Sequence, residues 1–473
     1  MIALRLSEIA RITGGQPYQG FQVAGTDPLV DGPVVTDSRE AAAGSLYVAR
    51  VGAAMDGHQF VAAARDKGAV AALTLRPVTE LPCVVVEDVQ EAFVSLARAL
   101  VEINTHTIVI GITGSSGKTS TKDLLASVLG RHGETVANVG SLNSEVGVPL
   151  TVCRITPTTE YLVLEMGSRG TGHIRYLTRI APPRIGVVLN VGTAHLGEFG
   201  TREAIGVAKA ELVQALPATG FAVLNADDPI VSGMASQTQA RVIQVGRSAQ
   251  ASVRAIDIVL DPQARASFTL LTSEGSASVA LGLHGEHHVG NALAVAAVAL
   301  AVGMPLPAVA AALGDARPVS RWRMEVHQRA DGVTLVNDAY NANPDSMRAA
   351  LEALATMGEG HRTWAVLGEM RELGPQSITE HDNVGRLAVR LNVSRLVAVG
   401  QGTQPIDAGA RRGGASGEES TWVPDIEAAY ELLQQQLAPG DVVLLKSSHD
   451  AGLRWLGDRL LDDADDSLSE VLS

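Results

Sequence analysis

Residues 107–130 pass from an apolar, β-branched run, Thr107–Ile112, through a glycine- and serine-rich stretch into a helical run, Thr121–Gly130. The stretch between them is Gly111-Ile112-Thr113-Gly114-Ser115-Ser116-Gly117-Lys118-Thr119-Ser120. A strand that enters such a turn and leaves it as a helix aims successive backbone N–H groups, and the positive end of the helix dipole, at one point, which is a phosphate site. Gly114, Ser115, Ser116, Gly117 and Ser120 are expected to form the cradle, Lys118 to reach the β- and γ-oxygens of a nucleotide, and the Thr119 hydroxyl to ligate Mg²⁺. The spacing departs by one position from the common phosphate-loop pattern, because glycine stands at 111 and Ile112 occupies the usual glycine position. The fold this unit demands is a mostly parallel sheet covered by helices.

The rhythm around the loop agrees. Tyr161–Met166, Ile185–Asn190 and Phe221–Asn225 are continuous apolar runs separated by helical patterns, as in strands buried on both faces. After Arg317-Pro318 the rhythm restarts with Val333–Asn337, Trp364–Gly368, Leu396–Gly400 and Asp441–Lys446, which predicts a doubly wound, Rossmann-like domain. Before residue 105, short strands (Ser45–Val51, Cys83–Glu87) mix with helices (Gly57–Lys67, Val89–Asn104). The chain of 473 residues is therefore expected to be α/β in three domains: 1–104, a small α/β domain; 105–317, a central phosphate-loop domain; and 318–473, a doubly wound domain. Two segments imitate membrane-directed sequence. The first 15 residues are broken by Arg5, Glu8 and Arg11 and predict an amphipathic helix ending at Gly14-Gly15. Ala292–Leu313 lacks charge, but Gly303, Pro305 and Pro307 divide it into two buried helices. Arg411–Glu419 is expected as a surface loop and Asp462–Asp466 as a solvated tail.

A net charge of −14 argues against nucleic acid or an anionic membrane as partner, and no membrane insertion is expected. The two cysteines, Cys83 and Cys153, suggest neither a disulfide framework nor a zinc cluster, so a cytoplasmic location is expected. Only five of the 37 basic residues are lysines, at 67, 118, 122, 209 and 446, and none lies in an Asn-Lys-x-Asp base-reading motif, which removes signalling GTPases. Glu165 ends an apolar strand, where a carboxylate at the carboxyl edge of a sheet can ligate the Mg²⁺ that bridges ATP phosphates.

Several stretches in order then resemble one family. TGSSGKTS, NSEVGVP (143–149), VLEMG with Glu165, NVGTAHLGEFG with His195, AKAEL with Lys209, and DAYNANP (338–344) are similar to the motifs of the Mur ligases over essentially the whole chain. Asp37-Ser38-Arg39, Asp56-Gly57-His58, NSEVGVP and VLGEMRELG (366–374) look most like the branch that joins D-alanyl-D-alanine to UDP-N-acetylmuramoyl-tripeptide. The resemblance implies an ATP-dependent amide ligase of peptidoglycan synthesis that works through an acyl phosphate. It further implies two Mg²⁺ ions, with His195 and a CO₂-carbamylated Lys209 at the second; adenosine recognition by His287, Asn291, Arg323, Asp338, Tyr340 and Asn341; substrate contacts from Ser38, Arg39, Asp56, Gly57, His58 and Asn143; and a monomer that closes its C-terminal domain onto the phosphate loop. Position 288 is His where the family usually has Asn, and His449 stands where related ligases carry Arg. Two other readings stay open at this point: another Mur-type or folylpolyglutamate-type ligase, and a phosphate-loop ATPase that acts as a switch without an acceptor.

Overall fold

The computed structural model describes residues 1–18, 27–52, 55–193 and 196–471. Three large sheets organise them, beside a two-stranded one that pairs Leu4–Arg5 with Leu29–Val30. The central sheet has nine strands in the order 275–284, 265–272, 253–260, 241–246, 221–225, 185–188, 108–113, 161–165, 135–137. The strand Ile108–Thr113 pairs in parallel with Tyr161–Glu165 on one side and Ile185–Val188 on the other. From Thr135–Ala137 to Val253–Leu260 every neighbouring pair is parallel, and an antiparallel hairpin closes the far edge. Side-chain alternation gives the sheet two apolar faces. Ile110, Ile112, Val163 and Val187 pack with the helix His288–Ala301, while Val109, Leu162, Leu164 and Val188 pack with helices that include Val89–Ile103 and Arg202–Gln214.

A six-stranded sheet, order 325–328, 334–337, 442–446, 363–367, 395–399, 420–423, is parallel except for its first strand and carries an apolar cluster on each face. A five-stranded sheet lies toward the N-terminus in the order 16–18, 83–85, 69–74, 45–48, 34–35. The architecture is three α/β blocks with a mostly parallel central sheet and a Rossmann-like C-terminal sheet, as expected.

The differences are local. The initial segment is a short strand, Leu4–Arg5, and then a helix, Leu6–Thr13, stopped by Gly14 at φ 68°. Ala292–Leu313 resolves into His288–Ala301 and Leu306–Asp315, and no helix among the described residues is long and apolar enough to cross a membrane. The strands Arg241–Gly246, Val253–Leu260, Arg265–Thr272 and Gly275–His284 have no counterpart in the sequence expectation, because their outer faces are polar and their apolar runs are interrupted. The expected loop from Arg411 is helical as far as Gly413, where Gly414 at φ 111° ends Gln404–Gly413. The backbone of the expected tail continues the helix Leu453–Val471.

The central and C-terminal blocks meet at two glycines. Gly197 N–H donates to Glu372 O at 3.0 Å, and a Cβ built on Gly197 would stand 2.8 Å from Gly374 N. Gly197→Ala should therefore hold the blocks apart while leaving each core intact. Small-angle scattering with an ATP analogue should give a larger radius of gyration than wild type, with an unchanged melting temperature.

Candidate active site

The carboxyl ends of three adjacent strands converge at the phosphate loop, the place where an open α/β sheet receives ligands. Gly111 lies inside the strand, and a Cβ there would meet Leu212 Cδ1 at 2.8 Å, so this glycine serves helix packing. That explains the displaced motif: the turn begins at Gly114. Gly117 adopts φ 77°, and a Cβ there would fall 2.8 Å from Asn291 Oδ1, so both backbone conformation and contact require glycine. The helix Lys118–Leu129 follows. Asn190, just past the strand Ile185–Val188, organises the loop: its Oδ1 accepts the N–H groups of Ser115 and Ser116, each at 2.9 Å, and its Nδ2 donates to Ser116 O at 3.2 Å. Lys118 Nζ folds back to donate to Gly114 O at 2.8 Å. Burial pushes the Lys118 ammonium below its usual range, a shift that the Glu165 carboxylate opposes and Arg323 reinforces.

Thr119 and Glu165 are both nearly inaccessible and face each other, Thr119 Oγ1 donating to Glu165 Oε2 at 2.8 Å. Asn143 Nδ2 donates to Glu165 Oε1 at 2.7 Å, and Asn138 Oδ1 accepts the Glu165 N–H at 2.6 Å. A hydroxyl and a carboxylate are hard oxygen donors suited to Mg²⁺, which takes few protein ligands and completes its shell with phosphate oxygens and water. Consistent with so sparse a set, no group of three or more His, Cys, Asp or Glu able to hold a metal occurs among the described residues. The spot already attracts positive charge: Arg323 Nη2 donates to Thr119 Oγ1 at 2.9 Å and to Ser141 Oγ at 3.2 Å. The fit to a divalent cation is therefore good.

Lys209 lies on the inner face of the helix Arg202–Gln214 and is 5% exposed. Burial, with the Lys118 charge adding to it, pushes its amine well below the ordinary lysine range. His195 lies outside the described residues.

Of the residues expected at adenosine, His287 and Asn291 line a cavity of about 140 Å³ within the central block, with Asn190, Asn225, Asp227 and Arg247 among others, while Arg323, Asp338, Tyr340 and Asn341 belong to the C-terminal block and are not part of that lining. Burial lowers the pKa of His287, with Asp338 opposing. His288 packs against His287 at 4.3 Å between ring centroids, and its Nδ1 lies 3.3 Å from Asn291 Nδ2, so the residue that departs from the family pattern orients the asparagine that keeps it. Asp338 pairs with the buried Lys446 at 2.5 Å and accepts the Met324 N–H at 3.0 Å. The Arg323 guanidinium lies 4.3 Å over the Tyr340 ring, which meets His449 edge-on at 5.4 Å. Asn341 contributes its carbonyl to Lys446 at 3.1 Å.

The N-terminal residues stand in a separate group. Ser38, Arg39 and Glu40 form a short 3₁₀ turn capped by Asp37, whose carboxyl is held down at about 2, chiefly by its hydrogen bond with the Arg39 side chain. Asp56 caps the turn Gly57–Phe60, and Arg76 first, then His58, holds its carboxyl well below the usual range. His58 is engaged within its own block. Its Nε2 accepts the Leu75 N–H at 2.9 Å, so Nδ1 carries the proton and donates to Asp56 Oδ1 at 2.6 Å. With both nitrogens engaged by the chain, His58 holds the loop and presents no free ring nitrogen. Gly57 is required by packing, since a Cβ would stand 2.6 Å from Arg50 O. Asn143, expected at substrate, donates to Glu165.

Asn190, Asn138, Ser141 and Lys446 were not among the expected site residues. Asn190 left a usable signal in its place between an apolar strand and a glycine-rich loop, and Lys446 in the scarcity of lysine; Asn138 and Ser141 act through contacts that only folding creates.

Fold and site together define a three-block α/β enzyme whose phosphate loop is completed by its C-terminal block. The sequence matches the family models for the Mur ligase middle domain over residues 112–299, the Mur ligase glutamate ligase domain over 322–449, and the Mur ligase family catalytic domain over 33–104. It is 48% identical to the UDP-N-acetylmuramoyl-tripeptide–D-alanyl-D-alanine ligase of Mycobacterium tuberculosis, with all of both chains covered. Its structure resembles MurF from Acinetobacter baumannii (TM-score 0.87, 32% identity, 97% of this chain and 99% of that one). It also resembles MurF ligase from Thermotoga maritima in complex with ADP (TM-score 0.79, 28% identity, 92% and 98%). The chain belongs to the Mur ligase family.

Asn190→Ala should free the Ser116 amide, whereas the Ser115 N–H keeps the main-chain oxygen of residue 190 at 3.1 Å. Hydrogen exchange at Ser116 without nucleotide should rise roughly tenfold, the equivalent of about 1.4 kcal/mol and within the range of a hydrogen bond's net contribution, while exchange at Ser115 changes less and exchange in the strand Tyr161–Glu165 stays unchanged.

Proposed function

We infer that this chain is an ATP-dependent ligase that joins D-alanyl-D-alanine to UDP-N-acetylmuramoyl-tripeptide in peptidoglycan precursor synthesis. The observation that carries the reading is the Arg323 contact with Thr119, by which the C-terminal block reaches the phosphate loop; full-length similarity to relatives with that activity supports it. We assign residues 1–104 to the uridine nucleotide, 105–317 to ATP and 318–473 to closure and the acceptor. ATP binds with its phosphates on Gly114–Ser120 and its base in the cavity beside His287 and Asn291, Asp338 facing the ribose. Ser38, Arg39 and the Asp56–Gly57 turn face the uridine nucleotide. The enzyme acts as a monomer in the cytoplasm, where ATP is made.

The tripeptide carboxylate attacks the γ-phosphorus, the bond to ADP breaks, and an acyl phosphate forms. The dipeptide amino terminus, having lost one proton from its ammonium form, then forms the C–N bond, the acyl C–O bond breaks as phosphate leaves, and the new amide nitrogen releases a second proton. Carboxylate and triphosphate repel each other, so Lys118 must leave Gly114 O and meet the phosphate oxygens, supplying positive charge where negative charge gathers. Asn190 keeps the Ser115 and Ser116 amides aimed before the nucleotide arrives, which lowers the reorganisation cost. Thr119 and Glu165 would hold Mg²⁺, which when bound neutralises phosphate oxygens.

Phosphate release should require ATP and the uridine tripeptide, with sustained turnover only when D-alanyl-D-alanine is also present. Undiminished release with ATP alone would mark an ATPase switch, and a preference for another amine would mark a different ligase. Lys118→Ala should lower turnover by about 10³-fold, roughly 4 kcal/mol, at an unchanged melting temperature.

We further propose that Lys209 carries a carbamate. Only an unprotonated amine adds to CO₂, and burial pushes this one well below the ordinary lysine range, which favours that form; N–C bond formation releases one proton and leaves an anion that would pair with a second Mg²⁺ together with His195. Enzyme equilibrated with ¹³C-bicarbonate should show a carbamate resonance that Lys209→Ala lacks. That variant should lose about 100-fold in rate, on the order of 3 kcal/mol, and regain part of it with short-chain carboxylic acids, whereas Lys209→Arg should not recover.

A further inference from the structure

The C-terminal block brings one carboxylate to the phosphate loop that nothing above uses. Asp345 is the second residue of the helix Pro344–Met357, and its Oδ2 accepts the Thr193 N–H at 3.1 Å and lies 3.5 Å from Thr193 Oγ1. Gly192 admits it, because a Cβ there would fall 2.0 Å from Oδ2, and the Gly192 N–H in turn donates to Ser115 Oγ in the phosphate loop at 2.9 Å. Oδ1 has no hydrogen-bond partner and Asp345 has no basic ion-pair partner among the described residues.

The neighbouring acids are committed elsewhere: Glu165 to Thr119 and Asn143, Asp338 to Lys446 and Met324, and Asp228 to Val191 and the cap of its own helix. An unpaired carboxylate beside a polyphosphate site is repelled by every phosphate that binds there, so it belongs in that position only if a cation arrives as well. Amide ligation delivers such a cation, because a free amino terminus is mostly an ammonium near neutral pH. The attack must take place at the γ-phosphate end of the loop, and Asp345 comes from the block that closes over it.

We propose that Asp345 Oδ1 receives the ammonium of the acceptor dipeptide and holds its nitrogen beside the acyl phosphate, a role that rests on the ligase reading above. Asp345 is then the residue that selects a free amino terminus, and its docking on Gly192–Thr193 makes the acceptor site complete only when the two blocks are closed.

Asp345→Asn tests this closely, since the amide keeps an oxygen for Thr193 and places a neutral group where the ammonium would sit. Two quantities are measured in the full-length enzyme: acyl phosphate formed from ATP and UDP-N-acetylmuramoyl-tripeptide, trapped as the alcohol with borohydride, and ligation as a function of D-alanyl-D-alanine concentration. The variant should form acyl phosphate within twofold of wild type while its KM for the dipeptide rises at least tenfold, with Asp345→Glu intermediate. A parallel fall in both steps would overturn the proposal in favour of a latch or a metal ligand, and so would an unchanged KM. Absence of ligation by the wild-type enzyme would instead overturn the ligase reading. Asp345→Ser supplies the same comparison if the amide variant does not fold.

Discussion

A loop of backbone amides that must receive several negative charges is an unstable thing to leave empty, and the rest of the site follows from that problem. In this protein Asn190 takes two of the amides, Lys118 bends onto its own loop, and Arg323 occupies the neighbourhood of Thr119 and Glu165. Each substitute bond is weaker than the charge-assisted bond a phosphate would make, so the loop is held in shape yet remains displaceable. Burial makes the arrangement sensitive, because Thr119 and Glu165, beside the half-buried Lys118, sit where solvent does little to screen them.

The same problem explains why the C-terminal block is required. Arg323 reaches Thr119, Ser320 donates to Asp123 at 2.6 Å, Asp345 reaches Thr193, and Glu372 meets Gly197. These contacts are polar, and Ala264 is the one central-block residue in the apolar cluster of the C-terminal block among the described residues, so little apolar surface ties the two together. A ligase with three substrates needs such an interface. It must open to admit large anionic molecules and then close to exclude water from an acyl phosphate.

Much of this was legible beforehand where one residue type has one physical use. The buried strands Ile108–Thr113, Tyr161–Glu165 and Phe221–Asn225 announced themselves as apolar runs, and Gly117-Lys118-Thr119 announced a phosphate loop. Half-exposed strands such as Arg265–Thr272 did not, because an interrupted pattern fits several structures. His58 shows what a motif leaves unsaid: its two ring nitrogens are used by Leu75 and Asp56, contacts that only folding creates.

The sequence by itself determined the class of fold, the phosphate loop and the family, because these depend on local periodicity and on motifs contiguous along the chain. Only tertiary structure decided which groups meet across long separations. It placed Asn190 on the loop amides, paired Lys446 with Asp338, buried Lys209 deeply enough to lower its amine's pKa, and set Asp345 against Gly192. Those outcomes rest on desolvation and on distances of a few ångströms between residues far apart in the chain, neither of which is written in the order of amino acids.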